Sequence, residues 1–475
     1  MTTAAHTRGG YSVRGYCVWL IAKTLISCHS SAMAEKKQAT KRQQKGTASR
    51  IRVKPELPGG FRDYGPADAI GRAQMIETIR KTFEVFGFDP LETSSIQRTE
   101  VLTGGEEDSG KIIFNVKGSQ EKKSDTSLRF DLTVPLARFI AANPDIPKPF
   151  KRYQIGTVWR GERPQAGRYR EFMQADVDIV GSSAIEADAE IVAVIYQTLK
   201  NLGIDNFLIK INSRDLLNTL PEYANFPPKK LWDVLRIIDK KDKIGLENVI
   251  KEIWTLFGDR LIADKVGRFL LTSSSGRVSK DMVLNENAWA DLVQIIDDVD
   301  IGTNNLEIDL SIVRGLEYYT GAIFETILTD APEMGSIFSG GRYDNLVSQF
   351  TGQNIPAVGA SIGVDRLFAA LEKLGKLGNQ KTNTQVLIFQ LDNALKSDYL
   401  GIAQELREAG INTALYLGDD QTFQAQLSYA VKKEIPFVVI YGEEEKKKGM
   451  VAVKNLATRE QKEVSRERLL DFFKK

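Results

Sequence analysis

Four arginines, Arg160, Arg163, Arg168 and Arg170, and two glutamates, Glu162 and Glu171, crowd the stretch 160–171. Guanidiniums at that density bind anions, and their planar forks match the paired oxygens of a phosphate. Strand-like runs, Tyr153–Arg160 and Glu171–Ile179, flank the stretch, so an antiparallel hairpin is expected to carry the arginines at its tip. Period two then puts Phe172, Gln174, Asp176 and Asp178 on one face and leaves Met173, Ala175, Val177 and Ile179 to pack on the other. A floor of carboxylates and an amide, rimmed by guanidiniums, suits a ligand with both an ammonium and a phosphate. Spacing alone accounts equally well for an exposed hairpin whose arginines pair with Glu162 and Glu171.

Both cysteines, Cys17 and Cys28, and both histidines, His6 and His29, precede Met33. The body of the chain from Ala34 onward therefore offers no thiolate nucleophile, no histidine base, no disulfide framework and no zinc site of the usual ligands. Its chemistry has to run on Arg, Asp, Glu, Tyr, Lys and bound cations. With 475 residues, 42% hydrophobic and 27% charged, the chain has the length and composition of two or three globular domains. A net charge of +2 gives no global basic field, so any nucleic-acid surface has to be a local patch. No apolar run approaches the roughly 20 residues of a membrane-spanning helix.

Residues 1–33 lack acidic side chains and carry Arg8, Arg14 and Lys23 around a short apolar run, Tyr16 to Ala22. Three readings stay open: an overlong start with Met33 as initiator, which the composition favours, an organellar transit peptide, or a secretory signal ending near Ala32-Met33-Ala34. Residues 34–50 read as a disordered basic arm. Pro66 suits a first helical position, Ile76, Ile79, Phe83 and Phe86 recur at helical spacing, and Gly87 offers a left-handed cap. From Asn212 to Ile301 the patterns are largely helical, including Lys229–Lys240 and Leu246–Phe257. Glu372–Thr384 reads as a linker. Beyond it Gln385–Leu391, Thr413–Leu417 and Phe437–Tyr441 alternate with helical patterns at Leu395–Ala409 and Thr422–Lys433, the signature of a small α/β domain with mostly parallel strands.

Several ordered stretches resemble the histidyl form of the class II aminoacyl-tRNA synthetases. Arg152–Gly181 resembles motif 2, Leu128-Arg-Phe-Asp-Leu-Thr-Val-Pro135 precedes it, and Val313-Arg-Gly-Leu-Glu-Tyr-Tyr-Thr-Gly321 resembles the histidine-specific signature. Gly359–Leu367 resembles motif 3, and Gly60–Pro66 with its following helix resembles motif 1. The resemblance spans residues 51 to 475 and leaves out the first fifty. It implies an α/β (α+β) fold: an antiparallel-sheet catalytic domain over 51–375, a helical insertion at about 212–301 that clamps an acceptor stem or serves as a structural cap, and an anticodon-binding domain over 384–475. It also implies a homodimer, formed through the motif 1 helix and strand, in the cytoplasm, or in an organelle if residues 1–33 are a transit peptide.

The same resemblance assigns roles. Asp131, Thr133 and Gln174 would cradle the substrate's amino group, and Asp178, Tyr318 and Tyr319 would enclose its side chain. Neutral imidazole offers one donor and one acceptor, which a carboxylate and a phenol can read together. Arg160 and Arg314 would be the catalytic cations on the α-phosphate and reacting carboxylate, with Glu162, Arg163 and Arg366 also contacting ATP. Mg²⁺ would accompany ATP with no ligand residue singled out. Adenylate formation tolerates the lack of histidine and cysteine, because the amino acid brings its own ionised carboxylate as nucleophile. Ser339-Gly-Gly-Arg-Tyr343 reads as a strand-breaking turn, either one where backbone approaches the ligand or a tight turn with no ligand beside it. Asp131 and Asp178 are each one methylene shorter than the glutamates of many bacterial forms, which leaves the tRNA identity elements less certain than the chemistry. The expected activity is ligation of L-histidine to tRNA(His). Two other readings remain at this point: a noncatalytic synthetase-like regulator, and a class II ligase for another amino acid.

Overall fold

The computed structural model describes residues 53–104, 113–120, 124–162, 169–271, 285–299, 304–313, 319–378 and 380–474. Two compact units divide the chain, Met1–Pro58 and Gly59–Lys475. In the first, the described residues 53–58 are exposed and form no helix or strand.

In the second unit a mixed sheet carries the site. Its strands are β1 (Asp89–Pro90), β2 (Phe150–Trp159), β3 (Glu171–Val180), β4 (Phe207–Ser213), β5 (Leu306–Ile308), β6 (Ala322–Leu328), β7 (Ser336–Arg342) and β8 (Ala357–Gly363). They lie in the order β1-β2-β3-β8-β7-β6-β4-β5. Only the edge pairs β1·β2 and β4·β5 are parallel; the rest are antiparallel. The expected hairpin is present, with β2 and β3 paired without interruption from Phe150↔Val180 to Trp159↔Glu171.

Alternation along β3 divides the molecule as period two requires. Ala175, Val177 and Ile179 are buried and Met173 packs beside them, in one core that includes, among others, residues of four helices. Those helices are α1 (Pro66–Val85), α2 (Ile185–Asn201), α3 (Glu286–Val299) and α4 (Val364–Lys373). Each buried Ile, Leu or Phe contributes about 1.5–3 kcal/mol, so this face fixes the register of the whole hairpin. The first helix begins with Pro66 at its first turn and an acidic Asp68 that complements the helix dipole. It ends before Gly87, whose φ of 76° is the left-handed conformation expected from the sequence. On the opposite face a smaller core forms under the helix Thr133–Ala142, from Leu136, Ala137, Ile140, Tyr343, Leu346 and Val347.

The expected helical stretch contains the helices Leu231–Ile238, Leu246–Phe257 and Arg260–Leu271. The last helix of that stretch, α3, packs on α2 and β4 of the sheet layer. The C-terminal part has its own five-stranded sheet. Val386–Ile388, Thr413–Leu415 and Phe437–Ile440 are mutually parallel, as expected. Two further strands, Met450–Asn455 and Gln461–Ser465, then add antiparallel, so the sheet is mixed. Gln461–Ser465 is a polar edge strand with little to bury, and so carries no apolar alternation to find in the sequence. Val386 and Ile388 enter one core and Leu387 another, so this sheet is covered on both faces.

Candidate active site

The polar face of β3 lies between two strands that give it room. Cross-strand partners of Asp178, Asp176 and Gln174 are Gly359, Ser361 and Gly363 of β8 on one side, and Arg152, Gln154 and Gly156 of β2 on the other. The small β8 residues Gly359, Ser361 and Gly363 line a cavity of about 500 Å³ above the sheet. Eight of the expected site residues line it: Asp131, Thr133, Arg160, Glu162, Gln174, Asp178, Tyr319 and Arg366. Arg163, Arg314 and Tyr318 lie outside the described residues.

Asp131 sits just before the helix Thr133–Ala142, where its Oδ1 accepts from the Val134 amide at 3.3 Å. Burial pushes its carboxyl up to about 6, against the pull of that amide and of Arg160 and Arg152. Gln174 donates from Nε2 to Ser361 Oγ at 2.7 Å, while its buried Oε1 has no hydrogen-bond partner among the described residues. An ammonium between these two groups would meet a carboxylate and an amide oxygen that both need a donor.

Arg160, also in the lining, donates from Nε to the Phe130 carbonyl at 3.1 Å, and its guanidinium carbon lies 5.1 Å from the centre of the Phe172 ring. No carboxylate among the described residues forms a salt bridge with it, so its charge is left to act on the cavity. Arg366 projects from α4 and donates to the Ser336 carbonyl. Its neighbour Asp365 ties three segments together. It accepts from the Met173 amide at 2.6 Å and from the Tyr64 hydroxyl, and pairs with Arg72 at 3.1 Å. Arg62 stacks between Tyr64 and Tyr169, 4.2 Å from each ring centre, and so brings the hairpin tip under the same control.

Asp178 is more constrained than sequence reasoning expected. Tyr343 donates to its Oδ1, and Arg152 approaches its Oδ2 at 2.8 Å. Burial raises its carboxyl while Arg152 and Tyr343 pull it down. Asp176 is pushed up to about 7 by burial and by the neighbouring Asp178 and Asp131, against the field of Arg152. Sequence reasoning put Asp176 on the ligand-facing floor without a specific contact and assigned no role to Ser361, Tyr343 or Asp365, all of which line the cavity. A signal existed for Ser361: in Val358–Gly363 small residues alternate with Val358, Ala360 and Ile362, the pattern of a strand with one face kept open.

Gly359 faces Asp178 so closely that a Cβ there would lie 2.0 Å from Oδ1 and 2.7 Å from the Val177 carbonyl. Gly359→Ala is expected to cost about 1–3 kcal/mol through overpacking. It should also raise the KM for the amino acid by displacing Asp178. Thermal melts and steady-state kinetics read the two effects.

The reading of Gly340 and Gly341 as a turn is corrected by the structure. Both lie inside β7, where a Cβ on Gly340 would meet the Gly359 carbonyl at 2.3 Å and one on Gly341 the Ala322 carbonyl at 2.5 Å. Their bare backbones admit the flanking strands rather than a ligand. Arg342 turns away to Asp188, which is 0% exposed, and to the Ser182 and Ala184 carbonyls, pinning the start of α2.

Among the described residues no group of three or more His, Cys, Asp or Glu is placed to hold a metal ion, and no helix is long and apolar enough to cross a membrane. Residues 60–367 match the family model described as histidyl-tRNA synthetase, and residues 385–475 match that of the anticodon binding domain. A histidine–tRNA ligase of Clostridium tetani is 40% identical over 441 residues, 89% of this chain and 98% of that protein. One of Rhodopirellula baltica is 40% identical over 87% of this chain and 96% of its own length. The crystal structure of histidyl-tRNA synthetase from Nostoc sp. PCC 7120 superposes with a TM-score of 0.78 at 31% identity, covering 89% of this chain and 99% of that one. A cavity lined by an amide, buried carboxylates and an arginine thus sits in a sheet that, with the domain after it, matches one family along nearly its whole length: the chain belongs to the histidyl-tRNA synthetases.

Proposed function

We infer that the protein is a histidine–tRNA ligase, joining ATP and L-histidine into histidyl-adenylate and passing the histidyl group to tRNA(His). The observation that carries this is the convergence on one cavity of Asp131 and Gln174, which can accept from an ammonium, with Arg160, which can oppose a phosphate. Asp131, Thr133 and Gln174 receive the α-ammonium. Asp178 and the Tyr318–Tyr319 pair enclose the imidazole. Arg160 and Arg314 neutralise the α-phosphate and the attacking carboxylate, with Glu162, Arg163 and Arg366 on the nucleotide. The carboxylate oxygen bonds to the α-phosphorus, the bond to the bridging oxygen breaks, and pyrophosphate leaves with the electron pair. The charge developed on phosphorus is what the fixed guanidiniums oppose. The terminal hydroxyl of the tRNA then takes the acyl group and AMP departs.

Mg²⁺ enters only as the companion of ATP's phosphates, and no step here runs through it. The domain bounds we propose are a catalytic domain over 51–375, with its helical insertion at about 212–301, and an anticodon-binding domain over 384–475, which receives the tRNA. On family membership we propose a homodimer in the cytoplasm, with an organelle as the alternative if residues 1–33 act as a transit peptide. ATP–pyrophosphate exchange measured with each of the twenty amino acids tests the activity. Exchange with histidine alone is expected; exchange with none would point to a regulator, and with another amino acid to a different ligase.

A further inference from the structure

Arg152 is the largest fully buried side chain among the described residues, at 0% exposure, and it is not among the residues that line the cavity. A guanidinium stays protonated in proteins, so its burial has to be balanced by nearby negative groups. The balance lies along β3. Arg152 Nη2 is 2.8 Å from Asp178 Oδ2 and 3.3 Å from the Leu132 carbonyl, while Nε and Nη1 have no hydrogen-bond partner among the described residues. Its field also reaches Asp176 and Asp131, opposing the upward push of burial on all three carboxyls. The cation therefore serves a cluster of acids that would otherwise compete to stay ionised in one enclosed space.

Asp178 is held from three further directions. Tyr343 donates to Oδ1, Gly359 leaves room for the carboxylate where any side chain would collide, and the strand pairing sets Arg152 directly across from it. A carboxylate has about four acceptor sites, so these contacts leave it able to accept one more hydrogen bond from the cavity side.

We propose that Arg152 is a positioning residue for amino-acid selectivity, fixing Asp178 as a rigid carboxylate acceptor for a ring N–H of the substrate's imidazole. The inference rests on the reading that Asp178 faces the histidine side chain. Without the cation, Asp178 shares protons with Asp176 and Asp131 and turns from acceptor into donor part of the time. Neutral imidazole then loses its partner, whereas ATP, which takes no contact from Asp178 on this reading, does not.

The test is pyrophosphate-exchange kinetics on the full chain with four variants: Arg152→Met, Arg152→Lys, Asp178→Asn, and the double variant Arg152→Met/Asp178→Asn. Arg152→Met is expected to raise the KM for histidine about tenfold or more, leaving the KM for ATP within about twofold. Arg152→Lys should restore part of the loss, because it returns the charge without the fork. The double variant should match Asp178→Asn alone, since a residue acting through Asp178 has nothing left to position. Equal increases in both KM values, or a double variant weaker for histidine than Asp178→Asn, would reduce Arg152 to a structural role and overturn the proposal. Should Arg152→Met not fold, the double variant, with both charges removed, carries the same comparison. If Asp178→Asn itself leaves the histidine KM unchanged, the reading of Asp178 fails and the proposal with it. If Asp178→Asn raises that KM and Arg152→Met does not, the proposal fails alone.

Discussion

Replacing Arg160 with alanine is expected to slow histidine-dependent pyrophosphate exchange by about a hundredfold or more. A fixed donor aimed at charge that appears only in the transition state contributes about 3–4 kcal/mol, because the site has already been oriented when the reaction occurs. The orientation of Arg160 is visible: Nε is anchored on the Phe130 carbonyl, the guanidinium lies over Phe172, and its backbone amide is held by the Arg170 carbonyl at 2.8 Å. No salt bridge to a described carboxylate absorbs its charge, so alanine there removes little from the folded state. The melting temperature should barely move, which separates lost chemistry from lost structure. Exchange within a few-fold of the wild-type rate would remove Arg160 from the reacting centre. Arg314→Ala is expected to behave alike by family resemblance.

Asp131→Asn should weaken histidine binding and, in the absence of ligand, strengthen the fold. A buried charge pair that loses one partner typically costs about 2–5 kcal/mol, so the KM for histidine should rise about thirtyfold or more. The stability effect has the opposite sign, and it follows from linkage. The folded-state pKa of Asp131 is about 6, above its usual carboxylate value of 3.8. Below the lower value both states hold the proton and the group is neutral in effect. As pH rises toward about 6 the unfolded chain releases its proton first, so Asp131 lowers stability through that window, and the penalty then stays constant above it. Asp176, pushed up to about 7, extends the same trend to slightly higher pH. Urea melts of the ligand-free protein should show the variant gaining on wild type between about pH 4 and pH 6 and keeping its advantage at pH 7.5. A variant less stable than wild type at neutral pH would contradict the burial of an ionised Asp131. Site carboxylates strained in this way illustrate stability given up for a pocket that waits for a cation.

Much of this was legible in the chain itself. Alternation in Phe172–Ile179 assigned each side chain of β3 to the face it occupies, because Met173, Ala175, Val177 and Ile179 had only apolar surface to offer a core while Gln174, Asp176 and Asp178 needed polar surroundings. Pro66 and Gly87 bracketed the first helix, since each restricts the backbone locally whatever surrounds it. The absence of histidine and cysteine beyond Met33 narrowed the chemistry before any fold was considered. Spacing failed where neighbours in space decide. Gly340 and Gly341 looked like a turn, yet they are strand residues kept bare by the carbonyls of β8 and β6. Nothing local marks Arg152 as buried, Tyr343 as a partner of Asp178, or Asp365 as the link between α4, the hairpin and the segment before the first helix. Local conformational preference and side-chain alternation act over a few residues and can be read along the chain. The electrostatic environment of a carboxyl group depends on strands distant in sequence, Phe150–Trp159 and Ala357–Gly363 among them, and comes into existence only when the sheet assembles.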